Sequence, residues 1–147
     1  LNVPLLETFL LSSDAQIMEE LEIAFSKIPI FNYPNLTVNG RIEFFGSPLL
    51  NNFTVGGGLF TNVGLSSCPS LAVLNLGTGN VGDFTATITF RNSSLSSSIL
   101  DLVIIELDRV ALAVTAKDID LRGNSARTTA SDAAVASLIT KNYNLLF

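Results

Sequence analysis

Residues 13–31 read SDAQIMEELEIAFSKIPIF, and the period assigned to this stretch decides the fold. Ile17, Leu21, Ala24 and Ile28 recur at helical spacing with Met18 and Phe25 beside them, while Glu19, Glu20, Glu22 and Lys27 fall on the other side. An apolar stripe of this kind predicts an amphipathic helix. Ser13 and Gln16 have capping-box spacing, Pro4 suits a first helical turn, and Pro29 supplies a stop. The helix is therefore placed at about 4–28, starting at either Pro4 or Ser13.

Downstream the period changes to two. Leu36, Val38, Ile42 and Phe44 alternate with Thr37, Asn39, Arg41 and Glu43, and 53–61 repeats the alternation with Gly56, Gly57 and Gly58 inserted. In DFTATITFR (83–91), Phe84, Ala86, Ile88 and Phe90 oppose Thr85, Thr87, Thr89 and Arg91. Segments 71–76, 99–106 and 110–121 bring the total to about six strands within 36–121. A short helix follows at about 131–141, capped by Ser131 or Asp132. No internal repeat is read, and 1–147 is taken as a single domain. The expected class is α+β: an N-terminal amphipathic helix wrapped by a strongly curved antiparallel sheet, with a short C-terminal helix.

Composition narrows the function. Apolar residues make up 48% of the chain and charged residues 14%. Apolar surface must therefore be hidden in a core, around a ligand or in a homo- or hetero-oligomer. Thirteen acidic against eight basic residues leave no patch for phosphates, so nucleic acid is not an expected partner. No apolar run reaches the length of a membrane span. The chain opens on Leu1, and sequons occur at Asn35, Asn52 and Asn92; together they lead to the expectation of a secreted, processed glycoprotein.

The chemistry is restricted by what is missing. With no histidine and one cysteine, Cys68, the sequence has no Ser-His-Asp or Cys-His triad and no ligand set for zinc. The pairs Glu106/Asp108 and Asp118/Asp120 are read as solvent-facing strand ends. Gly56–Gly58 lack the lysine and helix of a phosphate loop. Gly77, Gly79 and Gly82 match G-x-G-x-x-G but lead into a strand where a dinucleotide fold requires a helix. Both glycine clusters are read as places where strands bend or approach closely. No catalytic residue, metal site or cofactor is expected, and the chain is read as a non-enzyme.

GGGLFTNVGLSS (56–67) and LDLVIIELDRVALAVTAKDI (100–119), following an amphipathic helix, resemble the tubular lipid-binding (TULIP) superfamily. The nearest pattern is that of its arthropod takeout, juvenile-hormone-binding and mite group-seven allergen branch. The resemblance covers about residues 14–121 and implies an apolar ligand held between helix and sheet. The expected function is thus a secreted carrier of a fatty acid, terpenoid, sterol or carotenoid. Met18, Leu21, Phe25, Phe44, Phe53, Leu59, Phe84, Ile88 and Phe90 are the candidate pocket-liners. The alternative is a structural or surface-active extracellular protein that self-assembles through apolar surface.

Overall fold

The computed structural model describes residues 16–78, 80–81 and 88–147, and in it the decisive stretch is a strand. β1 (Gln16–Ala24) buries Leu21 and Ile23 and exposes Glu20 and Glu22, which is a period of two. Ile17, assigned to a buried helical stripe, is 75% exposed. This corrects the expected N-terminal helix over its described part; residues 4–15 lie outside the described residues. The local reason is the run Leu21-Glu22-Ile23, which satisfies a strand as well as a helix. The neighbouring strand decides between them.

That neighbour is β2 (Ile30–Phe45), and the pairing is parallel, with Leu21 beside Ile42 and Ile23 beside Phe44. β3 (Asn52–Gly57), β4 (Leu59–Phe60), β5 (Asn62–Ser66), β6 (Val73–Asn75), β7 (Asn80–Val81) and β8 (Ile88–Thr89) follow, then α1 (Ser97–Val110), β9 (Lys117–Asp120), α2 (Asp132–Thr140) and β10 (Tyr143–Leu146). The main sheet runs β10-β9-β8-β5-β2-β3-β6 with β1 also on β2, and β4 pairs with β7. Every pairing among the described residues is parallel, so the antiparallel sheet is a second correction. Parallel neighbours cannot be joined by tight hairpins; each return to the same edge needs a long crossover. Here the crossover is a full turn of a β-solenoid.

The turns are regular at first and then widen. Leu21, Ile42 and Val63 are successive register partners at steps of twenty-one residues. Later partners are Gly64 with Thr89, Ile88 with Ile119, and Asp120 with Leu146. Phe31, Phe53 and Leu74 stack in the same way on a second side of the coil. Inside, Leu21, Ile42, Val63, Ile88 and Ile119 form one buried row, and Ile23, Phe44, Leu65, Phe90 and Leu121 form another.

In the last two turns, between Ile88 and Ile119 and between Asp120 and Leu146, the widening has a physical cause in α1 and α2. Segment 99–106, expected as a strand, lies within α1, which buries Leu100, Val103, Ile104, Leu107 and Val110 at helical spacing. α1 packs on β6 and α2, so helices take over the side of the coil that strands form earlier. Glu106 and Asp108 sit on this helix. Glu106 accepts from the Leu76 amide at 2.6 Å, and Lys141 donates to Asp108 at 2.7 Å, tying α1 to coils on either side.

One corner repeats through all the coils. Phe25, Gly46, Ser67, Asn92 and Gly123 have left-handed backbone, with φ of 53°, 61°, 55°, 56° and 78°. Their amides link coil to coil: Phe25 to the Phe45 carbonyl at 2.7 Å, Gly46 to Ser66 at 3.0 Å, Ser67 to Arg91 at 3.1 Å and Asn92 to Arg122 at 2.8 Å. Immediately after each comes a small polar or thiol group: Ser26, Ser47, Cys68, Ser93, Asn124. The Ser26 and Ser47 hydroxyls meet at 2.8 Å, Ser93 accepts from the Cys68 amide at 3.1 Å, and Asn124 donates to the Phe90 and Leu121 carbonyls at 2.9 and 2.8 Å. This column satisfies buried backbone at the turn.

Cys68 thus occupies a position that serine fills in adjacent coils. Burial pushes its thiol up to about 11, against a weaker opposing effect of the Ser47 backbone. Native protein is expected to resist thiol reagents until it unfolds. Cys68→Ser should cost about 1 kcal/mol or less, whereas Cys68→Val, which adds branching and loses the donor, should cost about 2 kcal/mol. Urea titration of the two variants checks the ranking.

Asp101, buried on α1, receives the Thr128 amide at 3.1 Å, the Thr128 hydroxyl at 2.6 Å and the Ser131 hydroxyl at 2.6 Å. Burial, the largest single influence, raises its pKa, but these hydrogen bonds and the Arg127 charge together hold it below the usual value. Its stabilising contribution is complete above the unfolded carboxylate pKa of about 3.9 and disappears as pH falls through the lower folded value. Asp101→Asn is expected to flatten the acid limb of a stability–pH curve and to cost about 1–3 kcal/mol at pH 7.

Candidate functional site: the outer strand face

The outward side chains of β1, β2, β5, β8 and β9 are mostly polar, with Ile17 and Phe45 as exposed apolar members. Arg41, in the middle of β2, is surrounded by three carboxylates. Its guanidinium donates to Glu20 through Nε at 2.8 Å and through Nη2, and to Glu22 at 2.6 Å; Glu43 lies 3.4 Å away. Register explains the cluster, because Glu20 stands beside Arg41 and Glu22 beside Glu43. Opposite charges placed across adjacent strands stabilise the pairing, and the like charges are tolerated because Arg41 lies between them. The residues expected on the wet face of a helix are therefore the wet face of a sheet.

Asn62 follows Arg41 in the same row and is buried. Its Nδ2 donates to Glu43 at 2.6 Å, while its Oδ1 has no hydrogen-bond partner among the described residues. Next to it, Gly64 leaves a gap between Glu43 and Thr89. A recess of about 260 Å³ opens over this gap, lined by Glu22, Glu43, Phe45, Gly64, Ser66 and Thr89 among others. A second recess of about 390 Å³ is lined by Phe45, Ser66, Thr89, Arg91 and Asp120. The two share Phe45, Ser66 and Thr89, so they form one shallow groove across the strands.

Phe45 walls the groove with a ring 47% exposed, steadied edge-to-face by Phe25 at 5.2 Å and 86°. The Ser66 and Thr89 hydroxyls meet on the floor at 3.1 Å. Asp120 closes the far side, receiving Arg122 Nε at 2.9 Å and Nη2 at 2.8 Å. Those bonds hold the Asp120 carboxyl below the ordinary range despite its burial. The carboxylates of the groove are committed to guanidinium or amide partners: Glu22 and Glu43 to Arg41, Glu43 also to Asn62, and Asp120 to Arg122. Among the described residues there is no cluster of three or more metal-ligating acidic or thiol side chains, and no helix is long and apolar enough to cross a membrane.

The expected pocket-liners are distributed differently. Leu21, Phe44, Phe53, Ile88 and Phe90 are buried core, and Met18 packs partly against it. Phe44 and Phe53 meet at 5.1 Å within the interior of the coil, and Phe44 also reaches the recess over Gly64. Phe25 is on the corner beside the groove, Leu59 is 54% exposed on β4, and Phe84 lies outside the described residues. Of the sequons, Asn35 and Asn92 are exposed, while Asn52 is half-buried and accepts the Thr54 hydroxyl at 2.9 Å.

Phe45, Gly64, Ser66, Thr89 and Asp120 were not singled out from the sequence as site residues. The twenty-one-residue step identifies three of them, because it aligns Glu22, Glu43 and Gly64, and likewise Ala24, Phe45 and Ser66; Thr89 and Asp120 join through longer turns and lie off that step. Comparison of the chain with protein-family models, with curated proteins and with solved structures finds no match.

Proposed function

We propose that the chain is a non-catalytic extracellular recognition module that holds a hydroxyl-rich ligand, a saccharide chain, along the outer strand face. The observation that carries this reading is the groove itself: an exposed aromatic wall at Phe45 over a hydroxyl floor at Ser66 and Thr89, between Glu43 and Asp120. A sugar ring offers a C–H face for the aromatic and hydroxyls that bridge carboxylate acceptors, serine and threonine hydroxyls and the Arg91 donor. The scaffold suits the task, because parallel coils present their outward rows at fixed spacing on a rigid support. An apolar carrier depends on a chamber between an N-terminal helix and an antiparallel sheet; the described residues are not framed in that way, and most of the described pocket-liners are packed core.

The test is a titration of neutral and acidic oligosaccharides against the wild type, Phe45→Ala and Gly64→Ala. Phe45→Ala is expected to weaken binding by about tenfold or more while leaving stability nearly unchanged. Gly64→Ala should also weaken binding with little loss of stability, because its Cβ would meet Thr89 Cγ2 at 3.1 Å, which can shift, and would raise the groove floor. Absence of binding by every saccharide, or equal binding by all three proteins, would overturn the proposal.

A further inference from the structure

The solenoid has a second surface with a chemistry of its own at the β10 end, independent of what the strand face binds. Among the described residues the main sheet finishes at β10, which pairs with β9 on one edge. The Lys117 amide donates to the Asn142 carbonyl and the Leu121 amide to the Leu146 carbonyl, so even-numbered carbonyls point toward β9. By the alternation of a strand, the amide and carbonyl of Leu145 point the opposite way, along the outer edge. Around that edge the side chains are apolar: Val135 and Leu145 are partly buried, Ile139 is 58% exposed and Phe147 is 56% exposed. Two grooves, of about 890 and 620 Å³, both have Phe147 in their lining.

We infer that this face is covered by the same face of a second copy, in a closed two-fold dimer. A two-fold axis perpendicular to the sheet reverses the strand direction, so β10 would meet its counterpart antiparallel, centred on Leu145. The Leu145 amide and carbonyl then exchange hydrogen bonds with those of the partner copy's Leu145, as in a closely bonded antiparallel pair. The axis leaves the interior sides of both coils facing the same way, so the rows ending in Leu145 and Phe147 become continuous, and the outer flanks of the two α2 helices meet. The packing extends the coil-on-coil contact that the molecule already makes between each turn and the next. Charge is compatible with self-association: Arg127 and Asp132 on this face are bonded to each other at 2.5 Å, and the other carboxylate lining the grooves, Asp118, accepts from Asn144 at 3.0 Å on the β9 side, a strand's width back from the outer edge of β10. An isologous contact closes on itself and stops at two copies.

Sedimentation velocity of the whole chain between about 1 and 100 µM tests this through mass action. The wild type is expected to form a dimer that grows no larger. Ile139→Asp puts a charge into the apolar contact, and Leu145→Pro removes the outward amide without taking a donor from the β9 pairing; each should sediment as a monomer with an unchanged circular dichroism spectrum. Ile17→Asp, on the 75% exposed side chain of β1, should remain a dimer. A wild type that stays monomeric, a dimer that survives both β10-end variants, or growth into longer assemblies would each overturn the inference.

Discussion

Phe53→Ala is expected to lower the unfolding free energy by about 3–5 kcal/mol, at the upper end for truncation of a core side chain. The Phe53 ring is fully buried, stacked on Phe31 at 5.2 Å with planes 10° apart, and set edge-on to Phe44 at 5.1 Å. Phe31 and Phe44 touch in turn at 5.2 Å, so three rings from two strands close a triangle in which each fixes the other two. Removing one ring leaves a void that the neighbouring backbones cannot collapse into, because they are held in register by the coils on either side. The size of the effect also separates two readings of the same residue. A side chain lining a ligand chamber loses little stability when shortened, whereas a side chain packed inside a solenoid loses several kcal/mol. Urea unfolding of Phe53→Ala gives the number directly.

Gly58→Ala is expected to be nearly as damaging, with a loss of about 3 kcal/mol from one added methyl group. Gly58 has φ of +133°, and a Cβ there would lie 2.0 Å from the Val38 carbonyl oxygen and 2.6 Å from its carbon. The obstructing atoms are backbone in the adjacent coil, so relief requires the coils to separate. Gly56 is similar, with its Cβ position 2.3 Å from the Pro34 carbonyl oxygen. The glycine run at 56–58 therefore serves close approach between coils. Gly64→Ala is the internal control, because its nearest obstacle is a threonine methyl. Comparable melting temperatures for Gly58→Ala and Gly64→Ala would contradict this coil spacing.

The parts of this architecture that sequence reading captured and missed have physical explanations. The alternation across 36–44 was legible because Leu36, Val38, Ile42 and Phe44 face a core on one side only. The stretch 16–24 was ambiguous because its apolar positions satisfy both periods, and only the pairing with β2 decides in favour of a strand. At α1 the β-branched run Val103-Ile104-Ile105 reads as a strand locally, yet Leu100, Val103, Ile104, Leu107 and Val110 carry the helical period over a longer window. Parallel pairing is invisible in any short window. Its trace is the recurrence of Ser26, Ser47 and Cys68 after a left-handed residue, and that trace weakens as the later turns lengthen, first between Gly64 and Thr89 and then where α1 enters the coil. The groove could not be read before the coils were aligned, since Phe45, Ser66 and Thr89 come from three different turns.

The most direct test of the strand-face account is an amide chemical-shift map of the uniformly 15N-labelled protein during saccharide titration. The expected perturbations concentrate at Phe45, Gly64, Ser66, Thr89 and Arg91, with the interior rows around Phe44, Phe53 and Phe90 changing only where they adjoin the groove. Perturbations centred on those interior aromatic residues, or produced by an apolar ligand and by no saccharide, would contradict the account and return the search to a ligand held inside the coil.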